Sequence, residues 1–377
     1  MAKTASECIG YPIDKGIVIT KYGHVMGPIP GIECFEAGHP IPDGNSFDAA
    51  KAVLDATEAL TEDDTVLFLL SGGGSALFEY PAIPGEELAE VTDYMLKAGA
   101  DIKEMNTIRK RLSQVKGGKF AKWCAPARVE SIILSDIVGD PLDMIASGPC
   151  APDTTSCEEA AEICEKYGIS LSPQAAAALK NETPKELSNV TNRITGSVKE
   201  LCEAAANAAA KLGYTPIVLG DSFTCEAGKL GRLLADQLLQ CEGNRKTAFI
   251  AGGETVVHVT GKGLGGRNQE IALYAAGKLT GHVNMAVISV GSDGTDGPTD
   301  AAGGYADGDT VADLRRQGID IDTILQNNDA YHGLKASGGL IFTGPTGTNV
   351  NDVSVALMQT TYPDSGVCPK QHCPGGG

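Results

Sequence analysis

Short apolar runs alternate along the chain with longer stretches whose apolar residues recur at helical spacing. KGIVIT (15–20), TVLFLLSGG (65–73), SIILSD (131–136) and TPIVLGD (215–221) read as buried strands. Between them, 47–60, 86–98, 104–123, 157–167, 197–211 and 225–240 read as helices. Strands alternating with helices predict right-handed crossovers and a mostly parallel sheet. In such sheets ligands bind beyond the carboxyl ends of the strands, where Gly and Asp follow three of these runs.

The pattern changes at the polar link CEGNRK (241–246). After it, 247–259 reads as two short strands joined at Gly252-Gly253, with the half-buried alternation at Val257 and Val259. A helix at 268–279, a strand at 285–294, a helix at 309–317 and a strand at 340–344 follow. The expectation is a first domain over 1–243, a second over 244–358 and an unstructured tail over 359–377.

Composition narrows the function classes. The chain's 377 residues suit two α/β domains, and 42% apolar with 21% charged residues is the balance of a packed protein. A formal net charge of −18 and the lack of a basic stripe argue against nucleic acid as a partner. No apolar run is long enough to span a membrane, and MAKTASECIG lacks a signal-peptide core, so a cytoplasmic location is expected. The 11 cysteines, odd in number and without tight spacing, are expected as reduced thiols. Cys368, His372 and Cys373 in the tail are too few for a convincing metal site.

The chemistry-bearing residues gather in glycine-rich loops. Ser71, Gly72, Gly73, Gly74 and Ser75 follow a predicted strand and can turn backbone N–H groups towards one anion, or simply make a tight turn. There is no GxxxxGK[ST]. One GxGxxG stands at Gly261, Gly263 and Gly266, between a predicted strand and a helix. No acidic residue follows at the dinucleotide spacing of about 20, and Arg267 comes next. A nicotinamide reading therefore stays open but disfavoured. Asn106, Arg109, Lys110, Arg111, Lys116 and Lys119 cluster beside glycines in an acidic chain; Arg109 and Lys116, seven apart, are expected on one inward helix face. Asp136 ends a strand, where it can bind Mg²⁺, accept a hydroxyl proton or cap a turn. Glu254 and Arg267 flank the second domain's first loop. Asp293, Asp296 and Asp300 sit in one Gly-rich turn without EF-hand spacing, and Asn349 lies in a third such loop. Gly-rich loops, carboxylates and a few cations at strand ends are what phosphoryl transfer requires.

Seven strings occur in order: EAGHPIPD (36–43), LSGGGSAL (70–77), NTIRKRLSQVKGGKFA (106–121), LSDIVGDPLDMIASGP (134–149), GGETVVHVTGKGLGGRNQE (252–270), SVGSDGTDGPTDAAGG (289–304) and GPTGTNVNDV (344–353). Over about 15–358 the chain resembles the glycerate 2-kinases that carry a MOFRL domain. The resemblance implies a Rossmann-like parallel-sheet α/β domain, a smaller mixed α/β domain and an active site in the cleft between them. It implies a kinase that uses ATP and Mg²⁺ on D-glycerate, yielding 2-phosphoglycerate. Arg267 resembles the family's active-site Arg, with Asp136 and Glu254 as its acidic partners. Ser71 to Ser75 resemble a phosphate cradle. On this basis Asn349 is expected at the nucleotide, Asn106, Arg109 and Lys116 at the substrate, and Asp293 and Asp296 at the metal. A homodimer is also expected. Family members usually begin with a strand and a GKAA-like turn bearing a Lys, and MAKTASECIG resembles the helix after it. That strand and Lys are expected to be missing, at a cost to stability and activity, and Lys3 does not replace them. The rival readings are a hydroxypyruvate reductase using NAD(P)H and an inactive nucleotide-binding homologue.

Overall fold

The computed structural model describes residues 1–359 except Tyr11, Val138 and 242–245. The tail from residue 360, with its Cys368, His372 and Cys373, and the expected boundary at 243/244 fall outside the described residues.

The chain divides into two compact units, Met1–Ser197 and Val198 onward. In chain order the first contains α1 (Ala2–Cys8), β1 (Gly16–Lys21), β2 (Ile32–Ala37), α2 (Gly44–Ala56), β3 (Thr65–Leu70), α3 (Gly74–Leu77), α4 (Gly85–Lys97), α5 (Ile102–Leu112), α6 (Lys119–Cys124), β4 (Arg128–Leu134), α7 (Cys157–Tyr167), α8 (Pro173–Leu179) and β5 (Val190–Gly196). Its strands pair in parallel, as expected, but in two sheets, β1-β2 and β3-β4-β5. Among the described residues no strand joins β1 to β3, and Leu67 on β3 is exposed. Phe68, Phe78 and Phe120 meet with ring centroids 5.2–5.7 Å apart, filling a core against Val129 and Leu54. A second core is helical, formed by α4, α5, α7 and α8 around Met95, Ile108 and Leu179.

The predicted helix over 104–123 is two helices. Asp101 caps α5 and forms a capping box with Glu104. The helix stops at Leu112, and Gly117 and Gly118 take φ of +58° and +78° before α6. Only glycine adopts two such angles in succession without strain.

The second unit contains α9 (Val198–Lys211), β6 (Thr215–Phe223), α10 (Ala227–Gln240), β7 (Thr247–Gly253), α11 (Arg267–Leu279), β8 (Met285–Gly291), β9 (Gly303–Asp307), α12 (Thr310–Arg316), α13 (Ile321–Gln326), α14 (Ala330–Ser337), β10 (Leu340–Ile341) and β11 (Asp352–Met358). One six-stranded mixed sheet runs β10-β9-β8-β11-β7-β6. Alternate residues of β7 face opposite layers, as strand geometry requires. Phe249 and Ala251 pack with Leu234 and Ile271 of α10 and α11, whereas Ile250 packs with Val198 and Cys202 of α9. The packing division of the described chain lies after Ser197. The cause is the parallel pairing of β6 with β7, which ties α9, β6 and α10 to the second sheet. The second strand expected near 255–259 is extended chain, with a single bridge from Val256 to Glu226.

The nine described cysteines are free thiols. Among the described residues no helix is long and apolar enough to cross a membrane.

Candidate functional site

In the first unit, the ends of three strands from its two sheets meet at the glycine loop. β3 runs into Ser71–Ser75, β4 into Asp136, and β2 into Gly38-His39. Gly73 has φ +86°, which turns the chain into α3. Among the described hydrogen bonds, the N–H groups of Gly72, Gly73, Gly74 and Ser75 donate to no protein acceptor. Four consecutive unspent amides in a loop of this shape form an anion nest. A side chain at Gly72 would strike Asp136, whose Oδ2 lies 2.6 Å from the missing Cβ, and one at Gly74 would strike Ala146 at 2.7 Å. Ala146 and Ser147 both hold positive φ, +50° and +61°, a strained backbone that concentrates at functional loops.

The expected substrate cations brace this loop from behind. Lys116 is fully buried and donates to the Ser75 and Phe78 carbonyls at 2.8 and 3.1 Å, with buried Glu79 3.3 Å away. Desolvation, partly offset by Glu79, pulls its ammonium down to about 8. Arg109 donates to the same Ser75 carbonyl at 3.0 Å. The two residues do not share a helix face, because Lys116 follows the end of α5; they converge through the turn. Asn106 is buried and accepts a bond from Ser147, whose hydroxyl is also 3.1 Å from that of Ser75. Lys110 and Arg111 are buried too, on Asp153 at 3.0 and 3.6 Å. Lys116, expected at the substrate, is engaged inside the unit by the Ser75 and Phe78 carbonyls and by Glu79.

In the second unit three loops meet around Arg267, the first residue of α11. Its Nε and Nη2 bond the two oxygens of Asp352 at 2.5 and 3.2 Å, and Nη1 bonds Glu254 at 3.1 Å. Sequence reasoning named Glu254 but missed Asp352, which opens β11 far along the chain and carried no local signal. The Arg267 side chain is 33% exposed, so the guanidinium is fixed on one edge and open on another. Its carboxylate partners raise its pKa, against the opposing effect of burial, and it stays charged. Asp296, expected at the metal, is engaged by the protein itself. It is buried and accepts from the Asn268 and Gln269 N–H groups at 3.1 and 2.9 Å and from the Asn268 side chain, which caps α11. Among the described residues the Asp293 side chain accepts from Thr295 N–H, through Oδ1. Asn349 lies on the exposed 343–349 loop and accepts from Asn351 N–H at 3.2 Å. That loop is tied to Asp293 through the N–H of Thr346.

Two family models match, one described as Domain of unknown function (DUF4147) over residues 1–180 and the MOFRL family over 247–352. The D-glycerate 2-kinase of Thermotoga maritima is 50% identical over 95% of this chain and 88% of its own length. The chain belongs to the glycerate 2-kinase family. The crystal structure of a glycerate kinase from Thermotoga maritima superposes with a TM-score of 0.93 at 49% identity, covering 95% of this chain and 88% of that one. Another relative, in Agrobacterium vitis, is 40% identical over 91% of this chain and 81% of its own, and is provisionally named a hydroxypyruvate reductase.

For this member of the glycerate 2-kinase family, the fingerprint that would favour a reductase has a structural use. The N–H groups of Thr260 and Gly261 donate to Asn328 Oδ1, that of Lys262 to Asn327 Oδ1, and that of Leu264 to Asp329 Oδ1. A side chain at Gly261, Gly263 or Gly266 would meet Asn327, Asp329 or Asp296 at 2.1–2.4 Å. The glycines let this loop seat against the 327–329 turn, and these amides are spent where a pyrophosphate would need them. Among the described residues no three His, Cys, Asp or Glu side chains gather as a metal site. Mg²⁺ at kinase sites takes one or two carboxylates and fills its shell with phosphate and water. Asp293, with an oxygen that no described donor claims, fits that mode; Asp296 does not.

Proposed function

We propose that this chain transfers the γ-phosphoryl group of ATP to the 2-hydroxyl of D-glycerate. The observation that carries the reading is the run of unspent amides from Gly72 to Ser75 beyond β3. The glycine-loop amides hold the nucleotide phosphates, and Asn349 is a further polar group for the nucleotide. Arg267, set by Asp352 and Glu254, offers its open edge to the substrate carboxylate and the charge on the transferring group. Asp136 accepts the hydroxyl proton as the hydroxyl oxygen bonds to phosphorus and the β–γ bridging bond breaks, releasing ADP. A bound Mg²⁺, for which Asp293 is the fitting carboxylate, supplies positive charge to the phosphate oxygens.

The test is phosphorus NMR of the product from ATP and D-glycerate, run beside a coupled ADP assay. A 2-phosphoglycerate signal that grows in step with ADP supports the reading. Oxidation of NAD(P)H by hydroxypyruvate without ADP formation would replace it by the reductase.

A further inference from the structure

His39 has no place in the roles given so far. It stands two residues past the end of β2 in a turn closed at both ends. Gly38 N–H donates to Asp43 Oδ1 at 3.1 Å, and Asp43 caps α2 through Ser46. A Cβ at Gly38 would meet the Ile41 carbonyl at 2.6 Å, so the turn is tight. From it the imidazole lies flat against the glycine loop: a Cβ on Gly73 would meet its Cδ2 at 3.0 Å and its Nε2 at 3.2 Å. The side chain is exposed, and neither ring nitrogen has a described hydrogen bond.

A second cation comes to the same edge. Lys21 ends β1 and is the register partner of Ala37, which ends β2 two residues before His39. Lys21 is exposed and forms no described ion pair. Lys21 therefore ends its strand beside the turn that carries His39, while Asp136 borders the same loop at Gly72; partial burial, with Lys21, lowers the pKa of the His39 ring, and Asp136 opposes them. The nest therefore has amides beneath, Asp136 on one side and His39 with Lys21 on another. Behind it, buried Lys116 is spent on its carbonyls, and half-buried Arg109 bonds the Ser75 carbonyl through Nη2. Among the described residues, the β1-β2 side offers an anion on the amides two exposed side chains without a described hydrogen bond, His39 and Lys21.

We propose that His39 and Lys21 form the cationic wall of the anion nest and contact the polyphosphate held by the Gly72–Ser75 amides. This rests on the reading of the loop as a phosphate cradle and adds two residues that it does not name. His39 supplies a ring N–H to a phosphate oxygen, and Lys21 supplies a compact positive charge.

Calorimetry with inorganic tripolyphosphate tests the wall apart from catalysis. His39→Ala and Lys21→Gln are each expected to weaken binding about tenfold, the worth of one hydrogen bond to a charged group. Lys21→Gln should also flatten the salt dependence. Melting temperatures should stay within about 2 °C of the parent, as for exposed side chains. His39→Gln, which keeps an N–H donor, should recover part of the loss. In the parent, the His39 ring signal, assigned by its absence in His39→Gln, should shift on adding tripolyphosphate. Failure of the parent to bind tripolyphosphate, binding by both variants within twofold of the parent, or an unmoved ring signal would overturn the proposal. Tripolyphosphate binding that depends on His39, together with no ADP formed from ATP and D-glycerate, would leave the wall standing and remove the kinase reading.

Discussion

The two units treat charge in opposite ways. The first buries its cations: Arg111, Lys110 and Lys116 are among the largest fully buried side chains, and they are held by carbonyls, by Thr155 and by Asp143, Asp153, Glu182 and Glu79. The second buries carboxylates, Asp296 and Asp352, and leaves Arg267 a third exposed. In sequence the two clusters look alike, charges beside glycines. Their energetics differ. A buried cation held by internal acceptors keeps a loop in shape, and removing it leaves an uncompensated partner. A cation pinned along one edge by two acids, with another edge in solvent, is oriented for something not yet present.

The comparison predicts where each loss will appear. Arg267→Ala should lower kcat by about a thousandfold, the lower range for a transition-state arginine. Arg267→Lys should recover little, because an ammonium cannot bond both Asp352 oxygens and Glu254 in the plane of a guanidinium. Steady-state kinetics beside a thermal melt reads both. An Arg267→Ala protein that melts far lower but turns over normally when folded would reverse the roles of the two clusters.

Lys116→Met should do the opposite. It strands Glu79, fully buried with Arg109 3.9 Å away as its other cation, at a cost of about 3 kcal/mol in urea unfolding. Lys116→Met with Glu79→Leu removes both charges and should restore most of that loss. A single variant that keeps its stability and shows only a raised KM would place Lys116 at the substrate after all.

How far these roles were legible follows from distance along the chain. β3, β4, β6 and β8 are apolar runs and stand out in the sequence. β11, paired on both sides between β7 and β8, was hidden behind a Gly-rich loop. β5 was hidden because its burial alternates with exposed polar positions. The glycine loop and Arg267 were visible as motifs. The protein partners of Asp296, Asn268 and Gln269, lie 28 and 27 positions earlier, beyond a local reading. Asp352 was overlooked as the partner of Arg267 because 85 positions separate them. Local pattern reports elements and turn chemistry; which acid closes on which cation is decided by sheet order.

Gly72→Ala sharpens the comparison at the nest. The new methyl would sit 2.6 Å from Asp136 Oδ2, so either the loop or the carboxylate must move. A displacement of this kind at reacting groups costs about a hundredfold in rate. ADP formation should fall by that factor while the melt changes little, because Gly72 is exposed. Normal turnover in Gly72→Ala would mean that the amides and Asp136 do not serve one reaction.

The smallest effect concerns pH and again separates the braces from the site. Lys119 donates to the carbonyls of Lys110, Arg111 and Ser113, closing the end of α5. Burial, reinforced by Arg111, lowers it to about 8, as burial does for Lys116. An unfolded lysine titrates near 10.4, so above pH 8 the unfolded chain holds more protons and stability rises with pH. Below pH 8 both states are protonated and the slope vanishes. Past pH 9 the buried thiols oppose the trend: burial raises Cys124 to about 12 and Cys202 to about 11, so the unfolded chain ionises first and gains. Urea midpoints in reducing buffer should therefore climb between pH 8 and 9 by about 1 kcal/mol per lysine and then level. Lys119→Met should remove its share of the climb, whereas Arg267→Lys should leave the climb intact, because the Arg267 guanidinium does not titrate in this range. A climb that survives Lys119→Met and vanishes in Arg267→Lys would mean that the buried cations of the first unit are not what the pH change reads.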